Sequence, residues 1–160
     1  MKITNWPAIR AGQIVEFRYK SQNAKRGSKR TVFCLDPKYR YRKKSTNRVV
    51  ELFIGLELEN FGKERILNKL QLKLLLELLA KIEQDILGQH TQQTRMQDIY
   101  ADLRIFIKKY PVFKTYFMRE CRRRRVFEKR TIKNFDRLQI KSIVNEIIEQ
   151  RVDKGDIQGI

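Results

Sequence analysis

Polar and apolar positions change their rhythm several times along the chain. In GQIVEFRYKS, Val15, Phe17 and Tyr19 alternate with Glu16 and Arg18, a period of two that predicts a half-buried strand. The polar, Gly-containing SQNAKRGSKR reads as a hairpin loop. TVFCLD, rich in β-branched and aromatic residues, predicts a second strand that Pro37 ends. KYRYRKKSTNR alternates tyrosines with bases, as a loop or a ragged strand end. VVELFIGLELE predicts a third strand, with Gly55 at a bulge or tight bend.

From Glu64 to about Leu87 the rhythm becomes helical. Ile66, Leu67, Leu70, Leu74, Leu78, Ile82 and Ile86 form one stripe, and Leu72, Leu75, Leu76 and Leu79 widen it. Met96, Ile99, Tyr100, Leu103, Phe106 and Ile107 draw a second helix ending near Pro111. The short polar connection between the two predicts an antiparallel helical hairpin. The period returns to two in VFKTYFMRE, and CRRRRVFEKR suits a further strand. Ile140, Ile143, Val144, Ile147, Ile148 and Val152 then mark a closing helix.

These elements predict an α+β domain spanning 1–160: a small antiparallel β-barrel of about five strands, its halves at 12–59 and 112–134. A helical hairpin over 64–110 is inserted between them, and a helix over 138–153 follows. The competing architecture is an open antiparallel sheet with helices on one face. The longest apolar stretch, LQLKLLLELLAKI, is interrupted by Lys73, Glu77 and Lys81 and is too short to span a bilayer, so no membrane partner is expected.

Charge changes the picture most. The chain of 160 residues has 36 Lys and Arg against 18 Asp and Glu, a formal charge of +18. Such an imbalance costs self-repulsion that a polyanion relieves, and nucleic acid, DNA or RNA, is the leading partner. The charge is concentrated. Lys20 to Arg48 carries eleven bases against Asp36, and Arg104 to Lys133 twelve bases against two acids. The intervening 59–103 is close to neutral.

If the barrel brings the two basic segments together, they form one phosphate-contacting surface. The candidate contacts are Lys25, Arg26, Lys29, Arg30, Arg40, Arg42, Lys43, Lys44, Arg122, Arg123, Arg124 and Arg125. Tyr39 and Tyr41, interleaved with Arg40 and Arg42, are candidates for base stacking. The plainer alternative makes the arginines a solvated strand face, with two of the Arg122–Arg125 run covering the helical hairpin or binding Glu77 and Asp102.

IVEFRYKSQNAKRGSKRTVFCLDP resembles the opening of SH3-like small barrels of the WYL type: an F-x-Y strand, a basic loop, an R-x-V strand and a proline. VFKTYFMRECRRRRVF resembles the later strand, turn and strand of that type, with Cys121 at the apolar position. The Trp-Tyr-Leu tripeptide is missing and the helical hairpin is a departure. The resemblance implies nucleic-acid binding or ligand sensing. In style the chain is also similar to small basic proteins of tailed bacteriophages.

Catalytic chemistry is thin. His90 is the single histidine and reads as a plain loop residue; Cys34 and Cys121 read as buried thiols, which suits a reducing compartment. No metal, cofactor or small-molecule substrate is evident. A metal-dependent nuclease would need clustered carboxylates, for which Asp36, Glu51, Glu57 and Glu59 are the candidates. The opening MKITNWPAIRAGQ has no apolar signal region. The expectation is therefore a non-enzymatic nucleic-acid-binding protein of the cytoplasm, or of the host cytoplasm or virion if phage-encoded. The alternative is a virion-type assembly component docking on packaged DNA or an acidic neighbour. The Leu-rich helix at 64–87 would then contact a protein partner or a second copy.

Overall fold

A computed structural model describes residues 8–20, 27–42, 46–60, 67–86, 93–126, 132 and 135–153. Five strands and three α-helices follow one another as β1 (Ile14–Tyr19), β2 (Ser28–Arg42), β3 (Val49–Asn60), α1 (Lys69–Ile86), α2 (Gln93–Lys109), β4 (Phe113–Phe117), β5 (Cys121–Val126) and α3 (Arg137–Asp153). The strands form one antiparallel sheet in the order β4-β3-β2-β1-β5.

The fold is α+β, but the sheet is not closed into a barrel: β4 and β5 are its two edges. It is nevertheless strongly curled. Four strand spacings would hold the edges of a flat sheet about 19 Å apart. Yet β4 and β5 are joined by Met118–Glu120 alone, a single 3-10 turn that spans about 6 Å. The curl puts one apolar cluster inside the sheet, made of Val15, Phe17, Val32, Cys34, Phe53, Tyr116 and Cys121. There the ring of Phe17 meets Phe53 at 5.5 Å and Tyr116 at 5.0 Å, both edge-on. The alternate residues of the same strands, among them Ile14, Phe33, Leu52, Ile54, Leu56 and Phe113, face outward into a larger core shared with all three helices. Strand alternation thus supplies two cores, which explains why β2 and β3 read as nearly continuous apolar runs.

Pro37 does not end the second strand. β2 continues to Arg42, and its register against β3 shifts between Cys34 and Asp36 and again between Asp36 and Tyr39. A proline has no N–H for the ladder, and an irregular stretch leaves that position unpaired. The next N–H, from Lys38, is donated to the Asp36 Oδ1 atom at 2.9 Å. Gly55 lies opposite Cys34 beside this irregularity. A Cβ at Gly55 would stand 2.2 Å from Val32 Cγ1 and 2.6 Å from Phe33 O, so only glycine lets the two strands approach this closely.

On α1 the core-facing stripe differs from the expected one. Leu75, Leu79 and Ile82 are buried, whereas Leu70 is 66% exposed and Leu74 43%. Both sets have helical spacing, and only the placement of the helix against α2 and the outer core selects between them. On α2 the buried set is Ile99, Tyr100, Leu103, Phe106 and Ile107, and on α3 Ile140, Ile143, Val144, Ile147 and Ile148. Glu146 of α3 clamps α2, 2.6 Å from Lys108 Nζ and 3.2 Å from Arg104 Nε. Among the described residues no helix is long and apolar enough to cross a membrane.

Candidate nucleic-acid interface

β1 is the strand on which the two basic segments meet. It pairs with the start of β2 on one side and with β5 on the other. Its inward residues, Val15, Phe17 and Tyr19, belong to the inner core. Its outward residues beyond Ile14 are Glu16 and Arg18, past the reach of the helices. Arg18 stands in direct register with Lys29 of β2 and with Arg122 of β5. Three cations therefore form a row across three adjacent strands, each exposed. The next row holds Glu16 between Thr31 and Arg125.

Glu16 organises this face. Its carboxylate is 2.8 Å from Lys29 Nζ and 3.2 Å from Arg125 Nη2. Burial alone would raise its pKa, but Lys29 and Arg125 outweigh that and hold the carboxyl below its usual range. One acid thus stands among Arg18, Lys29, Arg122 and Arg125, leaving a local excess of three positive charges. Arg18 and Arg122 have no ion pair among the described residues.

The four-arginine run is not a regular strand. Glu16 pairs with Arg125 and Arg18 with Arg122, so the register shifts between them. Arg123 takes up the irregularity in the left-handed region, with φ of 55°. Alternation is broken there. Arg122, Arg123 and Arg125 are exposed, while Arg124 is half-buried, its Nη1 3.7 Å from Met118 Sδ. Burial pulls the Arg124 guanidinium below its ordinary value. The run does not reach Glu77 or Asp102, which line a cleft between α1 and α2 instead.

The remaining candidates separate. Arg30 points into the curl, where its Nη1 donates to Glu57 Oε1 at 2.5 Å and its Nε donates to Ser28 Oγ at 2.9 Å. The Glu57 side chain is wholly buried. It adjoins Tyr116, whose phenol is pushed far above its ordinary value by burial first and by Glu57 second. Arg40 and Arg42 lie at the other end of β2. Arg40 is 3.3 Å from Glu51, and Arg42 donates to Asn47, which itself sits in the left-handed region. Tyr39 and Tyr41 are half-buried against the outer core, a contact that takes up ring surface base stacking would need. Burial and then Glu149 raise the Tyr39 phenol. Lys25, Arg26, Lys43, Lys44 and His90 lie outside the described residues.

The first basic segment is thus divided: its Lys29 end joins the second segment, and its Arg40–Arg42 end does not. Arg104 and Lys108, counted in the second segment, are spent on Glu146. Arg18 is the cation of this row that sequence reasoning missed. Its outward parity on the first strand was legible, but it lies two residues before the first basic segment as counted.

The carboxylates proposed for a nuclease do not converge. Glu51 faces Arg40, Glu57 is buried on Arg30, and among the described residues no three His, Cys, Asp or Glu side chains group to hold a metal ion. Cys34 and Cys121 are free and buried. Burial raises both thiols, Cys121 to about 12. Comparison with family models, curated proteins and solved structures finds no match to this chain.

Proposed function

We propose that the outer face of β2, β1 and β5 binds the phosphate backbone of nucleic acid, without catalysis. The supporting observation is the row Lys29, Arg18, Arg122, three cations in direct cross-strand register. Like charges directly opposite one another destabilise a sheet. At about 5 Å each pair costs roughly 0.8 kcal/mol even in bulk water. A backbone phosphate seated on the row removes that cost, and its bound counterions are released. The row is exposed and about two strand spacings, or ~10 Å, wide. Among the described residues the row carries no Asn or Gln side chain for a bidentate contact to a base edge, so binding is expected to follow charge and shape rather than base sequence.

The curled sheet is, in this proposal, a partly open SH3-like barrel. The single 3-10 turn joining its edges supports that description. Fluorescence-anisotropy titration of labelled DNA and RNA across a salt series tests the function. Affinity that ignores salt, or no binding at low salt, defeats it.

A second reading has its own support. On the α1–α2 hairpin, Leu70, Leu74, Leu76 and Ile105 are exposed beside a cleft of about 300 Å³ rimmed by Glu77, Lys81, Asp102 and Lys109. Two acids and two bases make this rim self-complementary on a chain that is otherwise strongly cationic, so its occupant is proposed to be a second copy of the chain. Light scattering tests it: a dimer that Leu74→Glu dissociates supports the reading, and a monomer at high concentration rejects it.

A further inference from the structure

A second cationic site stands away from the sheet face. α3 begins at Arg137, and the spacing Arg137, Lys141, Val144 puts three side chains on one stripe of the helix. This stripe lines a cleft of about 380 Å³ whose opposite wall is the Pro37 irregularity of β2 and the segment before β1. Arg10 contributes a third cation from that segment. Leu35 and Val144, both buried, form an apolar floor, and Asp36 stands at the edge. None of Arg10, Arg137 and Lys141 has an ion pair among the described residues. The helix terminus itself is already occupied: Asp136 Oδ1 accepts the N–H groups of Leu138 and Gln139. The side chains, not the helix end, therefore make the site.

We infer that this cleft binds a nucleoside 5′-monophosphate unit, either free or as the phosphorylated end of a strand. Three cations lining one cleft match a phosphate monoester dianion better than a single phosphodiester charge. Ile9 and Pro37, half-buried on the cleft wall, add apolar surface that a base can cover. Asp36 selects against a polyphosphate or a second anionic group. One of its oxygens already accepts the Lys38 N–H, and the other is left to accept a sugar hydroxyl. The cleft's volume lies within the range of small-molecule sites.

This inference does not depend on the sheet face binding nucleic acid, and its test separates the two. Calorimetric titration uses adenosine monophosphate, adenosine and inorganic phosphate as probes. The monophosphate is expected to bind at least about tenfold more tightly than either fragment, and Arg137→Ala or Lys141→Ala to weaken it about tenfold each, as losing one charge-assisted contact does. Arg18→Ala with Arg122→Ala should leave this binding unchanged while weakening duplex binding. A 5′-phosphorylated trinucleotide that outbinds both its 5′-hydroxyl form and the mononucleotide assigns the cleft to strand ends; a mononucleotide that binds as well or better assigns it to free nucleotide. No binding of the monophosphate at about 1 mM, or binding indifferent to both Arg137→Ala and Lys141→Ala, overturns the inference.

Discussion

If Arg18, Lys29, Arg122 and Arg125 each displace a counterion on binding, removing two of them should halve the salt dependence of affinity. Arg18→Ala combined with Arg122→Ala is the informative perturbation. Both side chains are exposed and neither has an ion pair among the described residues, so truncation breaks no ion pair there. Four phosphate contacts give a slope of log K against log salt of about −3.6 on duplex DNA, a roughly 150-fold loss of affinity between about 50 and 200 mM salt. Two contacts give a slope of about −1.8 and a loss of roughly 12-fold over the same range. Removing the central cation of the row also relieves two repulsions of roughly 0.8 kcal/mol each, so thermal stability should hold or rise slightly while binding weakens. Anisotropy on a short labelled duplex reads the slope, and thermal melting confirms the fold. The matched control is Arg40→Ala with Arg42→Ala, at the far end of β2. An unchanged slope in the Arg18/Arg122 variant, or an equal decline in the control, would refute the reasoning.

Arg30→Ala strips the partner from the buried Glu57 carboxylate and is expected to cost about 3–5 kcal/mol, read as a lower midpoint in urea; Arg30→Met with Glu57→Leu should recover most of it. Gly55→Ala forces a Cβ to within 2.2 Å of Val32 Cγ1. Such overpacking costs about 1–3 kcal/mol, a fall in Tm of roughly 3–10 °C for a chain of this size. Thiol reagents should leave Cys34 and Cys121 unmodified in the native protein at pH 8 and react with both in denaturant, because burial raises both thiols and shields them. Prompt labelling of either in the native state would contradict that burial.

Much of the fold follows from local pattern. The alternation of Val15, Phe17 and Tyr19, and the helical spacing of Leu103, Phe106 and Ile107, need no tertiary information to interpret. The cationic excess likewise comes straight from composition. Two matters did not. Whether Pro37 stops a strand depends on whether the opposing strand demands an N–H there, and the register shifts of β2 against β3 remove that demand. Which leucine stripe of α1 is buried depends on what it rests against, because Leu70, Leu74 and Leu78 have spacing as helical as Leu75, Leu79 and Ile82.

The candidate site shows the same division. Parity along β1 marks Glu16 and Arg18 as outward, and the run of Arg122–Arg125 is plain in the sequence. Their coming together was decided by β1 lying between β2 and β5, a long-range pairing that no local spacing encodes. The same topology sends Arg40 and Arg42 to the opposite end of β2 and turns Arg30 inward to Glu57. Charge is additive along a chain, so its total could be read at once. Whether two charges share a surface depends on strand order and on which face each residue occupies, and those are fixed only when the sheet curls and its two cores close.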